Sequence, residues 1–546
     1  MAGPVFIGVD VGTGSARAGV FDAGGTLLAS HKHEIQMWRE SGDIAEQSSR
    51  DIWDAVCRCV RGAVAQSGVL QDQIAGIGFD AACSLVVLDR RMQPISVSQS
   101  GDPVRNVMVW MDQRAKPQAT AINAQAHPVL DYVGGRISPE MQTPKVLWLK
   151  QHMPQTFADA GQFFDLPDFL TWQATGSLTR SACTVTCKWT YLAHEMRWDD
   201  SYFQAIGLST LVDEDYARIG QQIAAPGTAL AQGLTDTAAA AMGLAPGLPV
   251  GAGLIDAHAG GVGTVGAAPN LGAERTMAYV FGTSACTMAS SPTAHMVPGV
   301  WGPYFSAMVP GLWLSEGGQS AAGEAIAHLI YSHPACAEAI SRAEHHNLTL
   351  QNYLLQVVEQ RYPQASVAHV LAGHRIIVPD FLGNRAPFAD PYATGIVSGL
   401  TLNKDFDDLL ASYVAAILGV GYGLRQIVKA QADHGVQPCS IVVSGGAAES
   451  ATVQQLLADA GGLPVLVTNS PEPVLLGAAM LGAVASGVQP SLTAAMAQMS
   501  SVASRVEPAA GAIADIHRVR FEAYCEHQKV ERALRSYLKS AQQGEP

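Results

Sequence analysis

A single carboxylate, Asp256, stands in the run Gly253-Leu254-Ile255-Asp256-Ala257-His258-Ala259-Gly260-Gly261. It is the only Asp, Glu, Lys or Arg between Leu248 and Pro269. A lone acid among apolar residues and glycines needs a partner, a metal or a task. The plain alternative is an Asp that caps a helix starting at Ala257. Three glycine turns elsewhere supply what such an acid could work with. Gly12-Thr13-Gly14-Ser15 follows a strand-like run; its backbone N–H groups and the hydroxyls of Thr13 and Ser15 suit an anion. Arg17 adds positive charge nearby. Asp10 closes the preceding run, and a carboxylate beside a polyphosphate calls for a divalent cation, Mg²⁺ by preference. Gly282-Thr283-Ser284 repeats the pattern. Ser444-Gly445-Gly446-Ala447-Ala448-Glu449-Ser450 leads from a strand into a helix N-terminus, where two flat glycines would let an adenine or ribose lie against the chain. Each turn alone is as well explained by an ordinary hairpin or strand-to-helix junction. Together with one isolated Asp they are the parts that phosphoryl transfer requires: positioning, charge stabilisation and one base near the acceptor hydroxyl.

Local patterns define the elements that must carry these residues. Val5 to Val11, Ala16 to Asp22 and Thr26 to Glu34 form an antiparallel meander. The G-x-G is therefore not a dinucleotide fingerprint, and no Gly-Lys-Ser/Thr comes after it to make a Walker A loop. Arg50 to Ala65 has helical periodicity through Ile52, Val56, Val60 and Val64. Ile74 to Phe79 and Ser84 to Leu88 are strands around Asp80-Ala81-Ala82-Cys83. A helical region spans Pro144 to Gln151, and Thr179 to Asp200 reads as less regular and polar, with Lys188 beside Trp189, Tyr191 and Trp198. Met277 to Phe281 and Ala285 to Ala289 repeat the opening hairpin, which implies two duplicated halves facing one another. Asp405 to His434 is a long helix with a break expected near Gly419 to Gly423. Strand, helix, strand and helix then occupy Ser440 to Val443, Thr452 to Ala460, Pro464 to Val467 and Pro473 to Ser486. Ser491 to Ser504 reads as a linker and His517 to Lys539 as an amphipathic surface helix. The expected division is an N-terminal domain over 1–270, a C-terminal domain over 271–490, and a linker plus helix over 491–546.

The 546 residues, 48% of them hydrophobic, suffice for two or more domains. A net charge of −14 argues against nucleic acid or an anionic membrane as the main partner. The start lacks a basic n-region and long apolar core, so no signal peptide is expected, and no apolar run reads as a membrane span. Nine cysteines without a framework read as reduced thiols of a cytoplasmic protein. His258 reads as packing or orienting rather than metal-ligating, because no second His or Cys sits at ligand spacing.

Gly8-Val9-Asp10-Val11-Gly12-Thr13-Gly14-Ser15, Asp256-Ala257-His258-Ala259-Gly260, Phe281-Gly282-Thr283-Ser284 and Ser444-Gly445-Gly446-Ala447 resemble, in order and spacing, the motifs of the FGGY carbohydrate kinases. The resemblance covers about residues 5 to 490. It implies an α/β fold of two actin/hexokinase/Hsp70-like (ribonuclease H-like) domains flanking a cleft, ATP and Mg²⁺, and transfer of the γ-phosphate to a hydroxyl of a small sugar or polyol. By resemblance Asp256 is the catalytic base and Asp10 the carboxylate near the metal. Gly12, Thr13, Gly14, Ser15, Gly282 and Thr283 meet phosphates, and Gly323, Gly445, Gly446 and Ser450 meet the nucleotide. A homodimer is expected only because family members often form one.

Asp80-Ala81-Ala82-Cys83-Ser84-Leu85-Val86 and Trp110-Met111-Asp112-Gln113-Arg114-Ala115 look most like the D-ribulokinase-like branch. L-Ribulokinases are similar at the Cys83 turn and at Lys188 and Glu316, which there line the sugar pocket. The implied sugar site is Ala82, Asp112, Lys188, Glu316 and Asp256. Each has a plainer reading: Lys188 a solvated lysine, Glu316 a helix-start acid, Asp112 and Arg114 a surface ion pair. Many members of the branch carry Thr where this chain has Ala82, and a lost hydroxyl can shift preference among D-ribulose, L-ribulose, ribitol and other polyols. Two rivals from other classes are an actin/Hsp70-type ATPase indifferent to sugar and a non-catalytic sugar sensor.

Overall fold

The computed structural model describes residues 3–40, 43–268 and 272–543. The expected division between 270 and 271 falls on residues 269–271, which lie outside the described residues. Two mixed sheets carry the site. The first is built from β1 (Val5–Val11), β2 (Ser15–Asp22), β3 (Leu27–Glu34), β4 (Ile74–Ala81) and β5 (Leu254–Ile255), in the order β5-β4-β1-β2-β3. The second comprises β6 (Thr276–Phe281), β7 (Ala285–Ser291), β8 (Trp301–Phe305), β9 (Trp313–Gln319), β10 (Ser440–Gly445), β11 (Val465–Thr468) and β12 (Val502–Val506), in the order β8-β9-β7-β6-β10-β11-β12. Within each, two antiparallel hairpin steps (β1-β2-β3; β6-β7-β9) continue on the other side into parallel neighbours (β1-β4-β5; β6-β10-β11). The shared connectivity is the duplication implied by the repeated hairpin.

Residue type decides which strands are central. β1, Val-Phe-Ile-Gly-Val-Asp-Val, is buried along its whole length, whereas β3, Leu-Leu-Ala-Ser-His-Lys-His-Glu, alternates between half-buried and exposed at the sheet edge. Strands covered on both faces read as near-continuous apolar runs, and half-covered ones alternate.

Seven helices carry or brace the site and its surroundings: α1 (Ala182–Trp189), α2 (Asp256–Val265), α3 (Gly323–Tyr331), α4 (Phe406–Ala432), α5 (Pro473–Ala485), α6 (Leu492–Met499) and α7 (Ala512–Gln543). α2 comes from the first half of the chain but packs on β6 of the second sheet, and α5 comes from the second half but packs on β1 and β4 of the first. The two helices cross where glycine leaves no room for a side chain. A Cβ on Gly263 would lie 1.9 Å from the Pro473 carbonyl oxygen, and one on Gly477 would lie 2.0 Å from that of Ala259. Gly260 and Gly263, downstream of Asp256, therefore serve a helix crossing between the halves.

Four expectations change. α4 runs unbroken through Gly419 to Gly423, because those glycines admit close neighbours: Cβ atoms there would meet the Ile377 carbonyl, Ala460 and Gln319 within 2.6 Å. By length and apolar composition α4 could cross a membrane, but here it lies mostly buried in the second core. Residues 491–504 are not a linker. α6 packs on α5, and β12 pairs antiparallel with β11 at the end of the second sheet. The supposedly irregular 179–200 contains α1, buried at every position and capped by Ser181. α7 is longer than expected.

Candidate active site

The expected site residues sit at the carboxyl ends of the central parallel strands, where open α/β sheets bind ligands. In the first sheet Asp10 pairs in register with Asp80, and Ala81 with Ile255, so the chain leaves β1, β4 and β5 at one level toward Gly12, Ala82 and Asp256. In the second, Phe281 pairs with Gly445, which sets the Gly282 turn beside Gly446.

The 12–14 turn is closed by Gly12 N–H donating to the Ser15 carbonyl at 3.0 Å. Its outer side is held by neighbours: Gln47 Nε2 donates to the Thr13 carbonyl (2.7 Å), Trp110 Nε1 to Thr13 Oγ1 (2.9 Å) and Ile35 N–H to the Gly14 carbonyl (3.0 Å). A Cβ on Gly12 would meet nothing nearer than 3.8 Å and one on Gly14 nothing within 4 Å. Protein packing does not require these glycines; the open backbone face does suit an anion. A cavity of about 380 Å³ adjoins, lined by Asp10, Gly12, Ser15, Arg17, Lys32 and Glu472 among others. A larger apolar groove between Tyr392, Ile396, Val530 and Leu534 contains none of the expected site residues.

The second turn pairs Gly282 N–H with the Ser284 carbonyl at 2.8 Å. α3 docks its first residues on it: Ala322 and Glu324 N–H donate to the Thr283 carbonyl (2.9 and 3.1 Å) and Gly323 N–H to the Gly282 carbonyl (3.0 Å). A Cβ on Gly323 would stand 2.7 Å from that carbonyl oxygen, so the glycine permits the docking. Gly445 holds φ +77° with the Phe281 carbonyl 2.2 Å from where a Cβ would be, while the space beside Gly446 is open. Ser450 caps the helix Ala451–Gly461, accepting Val453 N–H at 3.2 Å. Its hydroxyl is thus already engaged in the fold.

Asp10 is buried and receives Arg17 Nε at 2.9 Å; Arg17 also reaches Glu472 at 2.8 Å. Asp80, fully buried beside Asp10, has no hydrogen-bond partner on either carboxylate oxygen. Burial, and next the neighbouring Asp10, push its acidity constant well above the ordinary carboxylate value. Two adjoining carboxylates at strand ends, one orphaned, next to an open phosphate-sized turn, fit a divalent cation. Among the described residues no three His, Cys, Asp or Glu groups come together as metal ligands, and Mg²⁺ in kinases is held by one or two carboxylates plus the substrate's phosphates.

Asp256 is the first residue of α2, not a cap before it; Ile255 is the N-cap. Its Oδ1 accepts the Ala257 N–H at 2.7 Å. Burial and then Asp10 raise it to about 6, against the pull of the Ala257 N–H, His258 and Lys188. It is therefore ionised at neutral pH but readily protonated.

On the sugar side, Lys188 is buried at the end of α1, its Nζ 5.1 Å from the centre of the Trp301 ring. Burial opposes its charge, but Cys83 first and Glu316 next outweigh this and raise it well above the ordinary lysine value. Glu316, on β9, is held down to about 2: burial raises it, and Lys188, His258 and Arg385 more than compensate. Lys188 is therefore not the solvated lysine, and Glu316, within a strand, not the helix-start acid, of the plainer readings. Ala82 N–H donates to the Val11 carbonyl at 2.9 Å, which places its methyl at the end of β4 beside Cys83.

Asp112 is a correction. Its fully buried carboxylate accepts Ala45 N–H (2.9 Å), Arg114 N–H (3.1 Å) and the Arg114 guanidinium (2.7 to 3.0 Å), and Arg114 continues to Glu46 at 2.7 Å. With both oxygens occupied it anchors the segment that presents Trp110 to Thr13, rather than facing a sugar. It is also no surface ion pair.

Sequence reasoning missed Trp301, Arg385 and Cys183. The Arg385 guanidinium also faces the Trp301 ring, 5.6 Å from its centre, and donates to Cys286 Sγ at 3.5 Å; nothing local in Gly383-Asn384-Arg385 marks it. The Asp10–Arg17 pair was available from the hairpin register alone.

Comparison with known proteins gives the family. Residues 5–263 match the N-terminal domain, and 277–486 the C-terminal domain, of the FGGY family of carbohydrate kinases. The chain is 45% identical to a human FGGY carbohydrate kinase domain-containing protein over 92% of each. It is 37% identical to a D-ribulokinase of Saccharomyces cerevisiae, over 88% of this chain and 72% of that one. The fold is that of a xylulose kinase from Rhodospirillum rubrum (TM-score 0.79, 20% identity, 97% and 99% covered) and of a Plasmodium falciparum glycerol kinase (TM-score 0.75, 15% identity, 96% and 98% covered). With both domain profiles matched across the strand ends that carry Asp10, Asp256, Gly282 and Gly445, the chain belongs to the FGGY family of carbohydrate kinases.

Proposed function

We propose that this kinase phosphorylates the terminal hydroxyl of a pentulose, D-ribulose foremost, to give D-ribulose 5-phosphate, with Asp256 as general base. The observation that carries the reading is Asp256 itself: a carboxylate at a helix start, ionised at neutral pH, within the influence of both Asp10 on the phosphate side and Lys188 on the sugar side. Similarity to the yeast D-ribulokinase supports D-ribulose as acceptor.

Lys188 and Glu316 bind and orient the sugar, one donating and one accepting, and their mutual charge keeps both ionised without solvent. The Asp256 oxygen not held by Ala257 takes the proton of the terminal hydroxyl. That hydroxyl oxygen bonds to the γ-phosphorus of ATP while the bond to the bridging oxygen of ADP breaks. The N–H groups of Thr13 and Gly14, those of Thr283 and Ser284, and Arg17 meet the charge on the phosphates. Asp10, with Asp80 beside it, would hold Mg²⁺, which when bound neutralises phosphate charge. The N-terminus of α2 points its positive end at the base and so favours the ionised carboxylate before transfer.

The test is ADP release with Mg²⁺ and ATP over D-ribulose, L-ribulose, ribitol, D-xylulose, L-xylulose, arabitols and glycerol. Selective turnover of D-ribulose is expected. Preference for ribitol or L-ribulose would move the acceptor and point to Ala82, and ATP hydrolysis independent of any sugar would overturn the reading.

A further inference from the structure

The phosphoryl-transfer parts leave one buried group without a task. Cys183, the second residue of α1, places its Sγ 3.0 Å from His258 Nδ1, and His258 Nε2 lies 3.3 Å from Glu316 Oε2. Cys183 and His258 are fully buried and Glu316 nearly so. The three come from α1, α2 and β9, so the chain of contacts joins both halves of the molecule at the sugar site.

The protons can be placed by elimination. An ionised carboxylate only accepts, so Nε2 carries the hydrogen that faces Glu316. Nδ1 then either accepts from a thiol or donates to a thiolate. The sulfur already accepts the backbone N–H of Ile255 at 3.4 Å, and it sits in the first turn of a helix, where the aligned amides favour negative charge. Cys187, one turn further along α1, adds its thiol. Burial works against both charges; Cys187 and His258 nevertheless bring Cys183 down to about 5, and Cys183 and Glu316 lift His258 to about 10. The other titratable groups facing the trio are Lys188 from α1, Asp256 from α2, Asp168 from the helix before α1, Cys286 from β7, Tyr304 from β8, and Arg385.

We propose that Cys183 and His258 form a thiolate–imidazolium pair that fixes the Glu316 carboxylate for a sugar hydroxyl, which makes both of them positioning residues for sugar binding. One Glu316 oxygen is taken by the imidazolium and the other is left to the sugar. Because His258 is two residues from Asp256 on α2, the same pair sets the helix that carries the base. The inference rests on the sugar-kinase reading of Lys188 and Glu316.

Far-ultraviolet thiolate absorbance of the full-length protein, tracked through acidification, reads the pair without any sugar. The wild type should show a thiolate signal at neutral pH that Cys183→Ala lacks and His258→Leu loses. In turnover, both variants should raise KM for the sugar about tenfold while KM for ATP stays within about twofold. His258→Gln, which keeps a donor toward Glu316, should recover most of the loss. Should His258→Leu fail to fold, Cys183→Ala removes one sulfur atom and carries the test. An absent thiolate signal, or an unchanged sugar KM in Cys183→Ala, overturns the proposal. A protein that shows the thiolate yet phosphorylates no sugar overturns the sugar-kinase reading, and the positioning role with it, while leaving the ion pair.

Discussion

Replacing Asp256 with Asn should give a dead enzyme that is more stable than the wild type. Asp256 rises from an ordinary 3.8 to about 6 because burial and Asp10 both disfavour its charge. A folded-state value above the unfolded one means that the native state holds the proton more tightly. Stability then falls as pH rises from the unfolded value through about 6, and stays at the lower level above it. At 1.36 kcal/mol per pH unit the full effect is about 3 kcal/mol. Asp256 is half-buried rather than sealed, so water offsets part of it and about 1–2 kcal/mol is the expected gain for Asn. The amide oxygen of Asn can still accept the Ala257 N–H, so the start of α2 survives. Thermal melts of both proteins should differ by a few degrees near pH 8, with the variant higher, and converge near pH 4. In the same preparation sugar-dependent ADP release should drop by about 10² to 10⁴. Wild-type turnover by Asp256→Asn would refute the base. A variant no more stable near pH 8, or equally stabilised near pH 4, would refute the burial argument.

The same geometry yields other expected outcomes. kcat/KM for the sugar should decline about tenfold per pH unit below about pH 6, because a base must be deprotonated to accept; a flat profile between about pH 5 and 8 would contradict the value given to Asp256. Lys188→Met should raise sugar KM by about 10- to 100-fold, the loss of a charged hydrogen bond, with ATP binding, read by fluorescence titration, unchanged. Gly477→Ala should destabilise the protein by about 3 kcal/mol or more in urea unfolding, since its Cβ would lie 2.0 Å from the Ala259 carbonyl and force α2 and α5 apart. Asp112→Asn should lower stability through the Arg114 network and affect sugar KM less than Lys188→Met does.

The meander Val5 to Glu34 and the strands ending at Asp80, Phe281 and Gly445 are legible in the sequence because their signals are local. Apolar runs, period-two alternation and glycine turns lie within a few residues of one another. Order along the chain then suffices to imply two similar halves, with Asp10, Gly12 and Gly282 at strand ends. Residue type also suffices to say that Asp256 needs a task.

Contacts between distant segments were beyond that reach. The glycines after Asp256 look like mere surroundings of a lone acid until α5 is seen crossing them, and those of α4 look like a break until Ile377, Ala460 and Gln319 are seen against them. α1 carries too many threonines and cysteines to look helical; burial on every side, not its own pattern, holds it in shape. Residues 491–504 look like a linker because the partner of β12 is β11, some forty residues away. In the site, Asp112 is expected against the sugar by the resemblance of its motif, and only the donors of Ala45 and Arg114 show it to be saturated. Cys183, His258 and Glu316 are separated in sequence by 75 and 58 positions. Residue type and local order say which groups could do chemistry and which elements hold them. Which of those groups face one another is settled only in the folded chain, because charge, proton affinity and hydrogen bonding in a buried site depend on neighbours that no local pattern encodes.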